Sequence, residues 1–266
     1  MTTFSVADVH FSYGPKVILA GVSLDLPEGG LYGLVGQNGA GKSTLLRCLA
    51  GLARPARGRI LLDGREVARI PRRELATQLG VVPQSCTPTF PVSVAHFVGM
   101  GRFARERFLG GSTREDAAVV ARCLEELGLT ALAGRPVDEL SGGEFRRVLI
   151  AQALAQEAKI LLFDEPVQQL DLRHQLEVMA FARDFTRRGG TSGVVVLHDL
   201  GLAARYCDRI ALLHNGRILA TGTPREVLTT ANLRLAYAVE TVVRECPETN
   251  AIEIIPLAPS PTAGPD

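Results

Sequence analysis

Gly36-Gln37-Asn38-Gly39-Ala40-Gly41-Lys42-Ser43-Thr44 decides how the rest of this chain is read. It fits the pattern G-x-x-x-x-G-K-[ST], the loop with which nucleotide hydrolases hold phosphate. Its flanks fit as well. Leu31-Tyr32-Gly33-Leu34-Val35 reads as a buried strand, and Ser43 to Ala50 as a helix that Gly51 ends. Polyphosphate concentrates negative charge, so holding it takes many N–H donors converging at short range. Glycines let the backbone approach, and the helix N-terminus adds its positive end. In such a loop Lys42 reaches the β- and γ-phosphates and the Ser43 hydroxyl ligates Mg²⁺. A glycine-rich turn without a ligand is the plainer alternative, and the strand–loop–helix setting disfavours it.

Working outward, the chain has 266 residues, of which 46% are hydrophobic, enough for a sizeable core. A net charge of +1 provides no bulk field for nucleic acid or anionic lipid. No run approaches the ~18 apolar residues of a transmembrane helix, and Met1-Thr2-Thr3-Phe4 does not open a secretory signal. The five cysteines, Cys48, Cys86, Cys123, Cys207 and Cys246, are scattered and form no C-x-x-C pair. That pattern disfavours zinc and a disulfide framework and fits a reducing cytosol.

Residues 4 to 35 read as strands. Gly58 to Val67 reads as a hairpin turning at Asp63-Gly64, and Ile210 to Ala220 as another turning at Asn215-Gly216. Between about 85 and 155 the strand signals fade, and Thr113 to Leu127 has helical periodicity. Apolar strands return at Ile160 to Phe163 and Val194 to Leu197, with a helix over Gln175 to Arg187 between them. The predicted fold is α/β: a parallel-sheet core of the phosphate-loop NTPase type, an antiparallel β subdomain on its N-terminal side, and a helical subdomain at about 85–155. Residues 256–266, rich in Pro, Ala and Ser, read as a disordered tail.

Two further strand ends carry candidate chemistry. Ile160-Leu161-Leu162-Phe163-Asp164-Glu165 is an apolar strand closing on two carboxylates. After a phosphate loop, Asp164 is placed to hold Mg²⁺ and Glu165 to take a proton from attacking water. His198 follows the strand Val194 to Leu197. A strand-end histidine is more often a packing or surface residue, but ligands of open α/β sheets bind beyond the carboxyl ends of strands. Leu140-Ser141-Gly142-Gly143-Glu144 reads locally as a capping box, Ser141 with Glu144 three residues on.

Together these segments resemble the ATP-binding cassette ATPases, over about residues 4–240, with 241–255 as a C-terminal extension. Leu140 to Glu144 is similar to that family's signature. Tyr13, in Phe11-Ser12-Tyr13-Gly14, matches the aromatic residue that stacks on adenine. Gln84, in Val81-Val82-Pro83-Gln84, matches the glutamine that contacts the Mg²⁺ site and couples to membrane subunits. Leu170-Asp171 matches the loop that crosses the dimer interface, and His198 the switch histidine. The resemblance implies a head-to-tail homodimer with ATP held between residues 36–44 of one chain and Ser141, Gly142, Gly143 and Glu144 of the other. It implies Mg²⁺ held by Ser43, Gln84 and Asp164, with Glu165 and His198 catalytic. It further implies two transmembrane permease subunits, a substrate-binding protein acting through them, no nucleic acid, and a peripheral position on the cytoplasmic face of the inner membrane.

Within the family, Gly99-Met100-Gly101-Arg102, Asp171-Leu172-Arg173-His174-Gln175, the stretch from His198 to Asp208, and Cys246-Pro247-Glu248-Thr249 resemble importers of iron–siderophore complexes, haem and cobalamin. Arg102 is expected near the membrane-subunit contact, and Arg105 and Arg107 on a solvated basic face. Departures fall at Val167-Gln168-Gln169, where a small or hydroxyl residue is commoner near the first position and the Gln pair is expected to alter dimer contacts. They also fall at Gln152, where Arg is common, and at Glu144, where Gln is frequent. Alternatives are an importer of molybdate or another oxyanion, an exporter cassette, or a soluble cassette protein. The last usually carries tandem cassettes or long coiled coils, which this sequence lacks.

Overall fold

The structure, a computed structural model, describes residues 2–84, 86, 91–105, 113–188, 190–249 and 251–260. Arg107 lies outside them. In chain order the first part holds β1 (Thr2–Tyr13), β2 (Lys16–Pro27), β3 (Gly30–Gly36), α1 (Lys42–Leu49), β4 (Arg57–Leu62) and β5 (Arg65–Glu66). The middle holds α2 (Arg72–Gln78), β6 (Leu79–Val82), α3 (Val94–Gly99), α4 (Arg114–Glu126), α5 (Gly142–Ala155), β7 (Ile160–Asp164) and α6 (Leu172–Arg187). The last part holds β8 (Ser192–Val196), α7 (Leu200–Tyr206), β9 (Arg209–His214), β10 (Arg217–Gly222), α8 (Pro224–Val227), α9 (Thr230–Tyr237), β11 (Val239–Cys246) and β12 (Ala251–Pro259). The chain divides into two compact units, residues 1–69 with 182–266, and residues 70–181.

In the first unit, β3 lies between β8 and β9, parallel to both, with β10 antiparallel on β9. Every residue of β8 is buried, and so is β3 after Gly30, as expected of parallel strands covered on both faces. A separate antiparallel sheet runs β2-β1-β4-β5. Both predicted hairpin turns form. Asp63 and Gly64 have φ of 47° and 79°, Asn215 and Gly216 of 47° and 72°, the left-handed pairs that a two-residue turn with right-handed strand twist needs. A third antiparallel pair, β11–β12, closes the chain. β12 continues through Pro256 to Pro259, so the tail expected from Pro256 begins inside a strand. Thr241 pairs with Pro256 and Val239 with Pro259, in a two-stranded ribbon where the missing N–H groups can face outward.

In the second unit, β6 and β7 pair in parallel and the helices surround α5. Thr113 caps α4 in a reciprocal box with Asp116. α5 buries Val148 to Ile150 and Ala153 to Ala155, and Phe145 near its start meets Phe97 of α3 at 5.8 Å. This unit is wider than the helical stretch read from sequence, because β6 and β7 belong to it.

Candidate active site

In the first unit β3 delivers the glycine-rich loop. At Gly36 (φ 148°) a Cβ would stand 2.2 Å from the Leu213 carbonyl oxygen, and at Gly41 (φ 104°) 2.7 Å from Leu19 Cδ2. Both positions admit only glycine. Gln37, Asn38 and Gly39 form the exposed tip, and the Ala40 N–H closes it on the Gln37 carbonyl at 3.2 Å. The first helical bond of α1 runs from Leu45 N–H to Gly41 O at 2.8 Å. The N–H groups of Lys42, Ser43 and Thr44 therefore precede the helical ladder, and among the described residues no side chain caps this end. Lys42 is buried and donates from Nζ to the carbonyls of Gly36 (2.8 Å) and Gln37 (2.9 Å), folding the loop around a positive charge. Together these groups form a concave, positively biased cradle suited to phosphate.

His198 is brought to the same edge by register. Leu34 pairs with Val196 on adjacent parallel strands, so Gly36 and His198 each stand two residues beyond that pair, and the Leu197 N–H donates to Leu34 O. Exposed Tyr13 stands at the end of β1, its ring edge-on to Phe11 at 4.9 Å. An exposed, braced ring of this kind can stack a base.

The second unit repeats the arithmetic. Val82 pairs with Phe163, so Gln84 and Glu165 each lie two residues past the pair, and Gln84 Nε2 donates to Glu165 Oε2 at 2.7 Å. Glu165 is buried with φ 48°, an unusual conformation for a side-chain-bearing residue, more so before Pro166. Asp164 is the last residue of β7 and half-buried. Gln84 Nε2 also donates to Gln168 Oε1 at 2.8 Å, leaving its Oε1 to accept or ligate. The Ser43 hydroxyl in the first unit, and the Asp164 carboxylate and Gln84 amide oxygen in the second, are each hard oxygen donors. Among the described residues no cluster of three or more His, Cys, Asp or Glu forms a cage for a metal ion. Oxygen donors of this kind suit Mg²⁺, which binds through few protein oxygens plus substrate phosphate.

Ser141 caps α5. Its hydroxyl accepts from Glu144 N–H (3.3 Å) and donates to Glu144 Oε2 (2.7 Å), and its own N–H donates to that oxygen (2.8 Å). The Ser141 N–H, then the hydroxyl, hold the Glu144 carboxyl below the usual carboxylate range. The first helical bond is Phe145 N–H to Ser141 O. The open donors at this end are thus Gly142 and Gly143 N–H, because the Ser141 hydrogen is already directed to Glu144. Asp171 accepts from His174 N–H (2.9 Å) and faces His174 Nδ1 (2.8 Å), and the backbone N–H chiefly depresses its pKa. The His174 ring lies over Gly143, where a Cβ would be 3.0 Å from Cδ2.

The ABC transporter profile matches residues 19–168. The chain belongs to the ABC transporter family. It is 40% identical over 264 residues to the cobalamin import ATP-binding protein BtuD of Halobacterium salinarum, covering 99% of this chain and 66% of that protein. It therefore spans about two thirds of that relative's length. Another relative in the family, the hemin import ATP-binding protein HmuV of Bordetella avium, is 40% identical over 245 residues, covering 90% of this chain and 93% of its own. Among solved ABC structures, one described as an inward-facing transporter of metal-chelate type contains a chain 30% identical with TM-score 0.84, covering 96% of this chain and 97% of that one.

Three residues have structural contacts that the sequence does not indicate. Gln168, expected to bear on dimer contacts, accepts from Gln84 Nε2 within this chain. Buried Arg146 of α5 donates to the carbonyls of Pro83 (2.7 Å) and Gln84 (2.8 Å), tying the helix behind the signature to the Gln84 loop. His174 joins Asp171 to Gly143. Nothing in the local sequence marks the second: Arg146 stands beside Arg147 and two residues after Glu144, and reads as one of a pair of surface cations. Arg102, expected near a membrane-subunit contact, is buried instead. It pairs with Asp116 and Glu157 and donates to Ala155 O, each at 2.8 Å, locking the C-terminal end of α5. Arg105 is exposed as expected, but its guanidinium is engaged by the carbonyls of Gln156 (2.7 Å) and Glu157 (2.9 Å).

Proposed function

We propose that this chain is the ATP-hydrolysing subunit of an importer of a metal chelate, an iron–siderophore complex, haem or cobalamin. It works as a head-to-tail homodimer beneath two permease subunits that receive cargo from a substrate-binding protein. The observation that carries the nucleotide reading is the matched pair of strand ends: Gly36 with His198 in one unit, Gln84 with Glu165 in the other. The import reading is supported by the names of the relatives. Among the described residues no helix is long and apolar enough to cross a membrane.

In this reading Tyr13 stacks the adenine. The open amides of α1 take the phosphates, and Lys42 exchanges its two carbonyls for β- and γ-phosphate oxygens. Ser43, Asp164 and Gln84 Oε1 hold Mg²⁺, which when bound offsets phosphate charge. Glu165 Oε1 or Oε2 accepts a proton from water as Gln84 releases it. His198 donates to the γ-phosphate. Gly142 and Gly143 N–H of a second copy close over that phosphate, so ATP joins two chains and hydrolysis parts them.

The test is capture of the Glu165→Gln variant with Mg-ATP from detergent-solubilised membranes of its source, followed by mass spectrometry. A polytopic membrane protein is expected. A soluble or nucleic-acid partner would overturn the transport assignment.

A further inference from the structure

The C-terminal ribbon covers a cavity that the nucleotide chemistry does not use. It measures about 470 Å³ and lies in the first unit between the start of α7 and the β11–β12 pair. That size is within the ~300–1,000 Å³ of small-molecule sites. Its walls are mostly apolar, with Leu200 on one side and Val239, Ile252, Ile254 and Pro256 on the other. The turn carrying Cys246 and Thr249, singled out in the sequence but given no role above, closes one end.

Its few polar groups are not all satisfied. Thr241 is only 9% exposed, lines the cavity, and its Oγ1 has no hydrogen-bond partner among the described residues. A buried hydroxyl left in that state costs free energy unless something in the cavity meets it. The charges at the rim are unequally placed. Asp199 is engaged by the Leu202 N–H (2.9 Å) and Glu253 by Arg244 (2.7 Å). Arg205 stacks on Tyr206 at 5.4 Å and has no carboxylate partner among the described residues. Among the described residues, Arg205 is thus the rim charge with no hydrogen-bond or ion-pair partner.

We infer that this cavity is a binding site for a small apolar molecule bearing one carboxylate, its body against Val239, Ile252 and Ile254 and its charge at Arg205. The Thr241 hydroxyl meets the ligand's polar end or the last water it carries in. The site also has a route to the phosphate loop. Asp199 follows His198 in the chain, and the buried Tyr237 hydroxyl, another lining group, lies by the Gly36 backbone without forming a well-aligned hydrogen bond. An occupant that shifts Tyr237 or Asp199 changes the support of Gly36 and His198. This consequence rests on the nucleotide reading; the binding does not.

The test uses the full chain with decanoate and, as the uncharged control, decanol. Binding is followed by calorimetry and by the rate at which Cys246, half-buried in the lining, is alkylated, read by mass spectrometry. Saturable one-to-one decanoate binding that slows Cys246 alkylation is expected. Arg205→Gln should weaken decanoate about tenfold, the loss of one charge-assisted hydrogen bond, and leave decanol unchanged. Ile252→Trp should abolish both by filling the cavity. The chain has no other tryptophan, so a blue-shifted emission verifies that this variant is folded. No saturable binding to the unaltered chain, or binding that survives Ile252→Trp with Cys246 alkylated at its usual rate, overturns the site. Equal loss of decanoate and decanol in Arg205→Gln overturns the carboxylate class. ATP affinity should shift when decanoate is bound. Protection of Cys246 with unchanged ATP affinity overturns the coupling, whereas failure to bind ATP at all falls on the nucleotide reading.

Discussion

Two glycine-bearing turns open helices in this chain, and they end in opposite states. At residues 36–44 the helix start has no side-chain cap, its first amides precede the helical ladder, and a buried lysine draws the loop around its positive charge. At residues 141–144 the helix start is closed on itself, with one carboxylate taking both donors of Ser141. The first is built to hold an anion without help. The second satisfies itself and offers only the amides of Gly142 and Gly143, so by itself it is the weaker anion site. In the proposed reading, this difference means that each ATP is bound first by one chain and then shared with a second.

The support of the second turn is the place to apply the largest perturbation. Arg102 anchors the far end of α5 through Asp116, Glu157 and Ala155 O. Arg102→Met leaves Asp116 buried without its cation, and should cost about 3–5 kcal/mol in chemical denaturation. ATP binding at the 36–44 loop should persist under conditions where the variant stays folded. Next in size is Lys42→Ala, which should weaken ATP binding by roughly a hundredfold in calorimetric titration of the monomer. Gly143→Asp, by contrast, should leave that monomer affinity intact and lower steady-state turnover, since an added side chain meets His174 and a carboxylate repels phosphate. If Gly143→Asp weakens the monomer's ATP binding as much as Lys42→Ala does, the contrast between the turns fails.

The smallest effects sharpen the self-capping half of the comparison. Glu144→Ala should cost about 1 kcal/mol, a typical cap. The pH dependence has a definite sign. Glu144 and Asp116 both have carboxyls depressed in the folded chain, Asp116 to about 2 because the Thr113 N–H, then Arg102, stabilise the charged form. Their stabilisation is fully present above the unfolded carboxylate range, about pH 4, and is lost as pH falls toward 2. Acid unfolding of Asp116→Asn should therefore show a shallower slope between about pH 4 and 2 than the unaltered chain.

The loop, both hairpin turns and the carboxylate that ends β7 were legible because each is dictated by neighbours in sequence: left-handed φ at Asp63-Gly64 and Asn215-Gly216, an apolar run ending in Asp164. The buried arginines were not. Arg102 and Arg146 look like surface cations in their own segments. What buries them, Glu157 for one and the Pro83 and Gln84 carbonyls for the other, lies more than fifty positions away in the chain. The ribbon was misread for a related reason. Composition at Pro256 to Pro259 resembles a tail, and only the register against Val239 to Thr241 makes it a strand. Gln168 appeared as a departure from the family pattern because its role depends on where Gln84 points.

The most direct test of the account is the size of the Glu165→Gln chain in solution, measured by light scattering with saturating Mg-ATP and with none. The substitution keeps a side chain at the Gln84 contact and removes the proton acceptor, so ATP should bind and remain, and turnover should fall by about 10²–10⁴. The account predicts a stable dimer with Mg-ATP and a monomer without it, the dimer vanishing when Gly143→Asp is added. A chain that binds ATP with full occupancy and stays monomeric, or that hydrolyses at the unaltered rate, would contradict it.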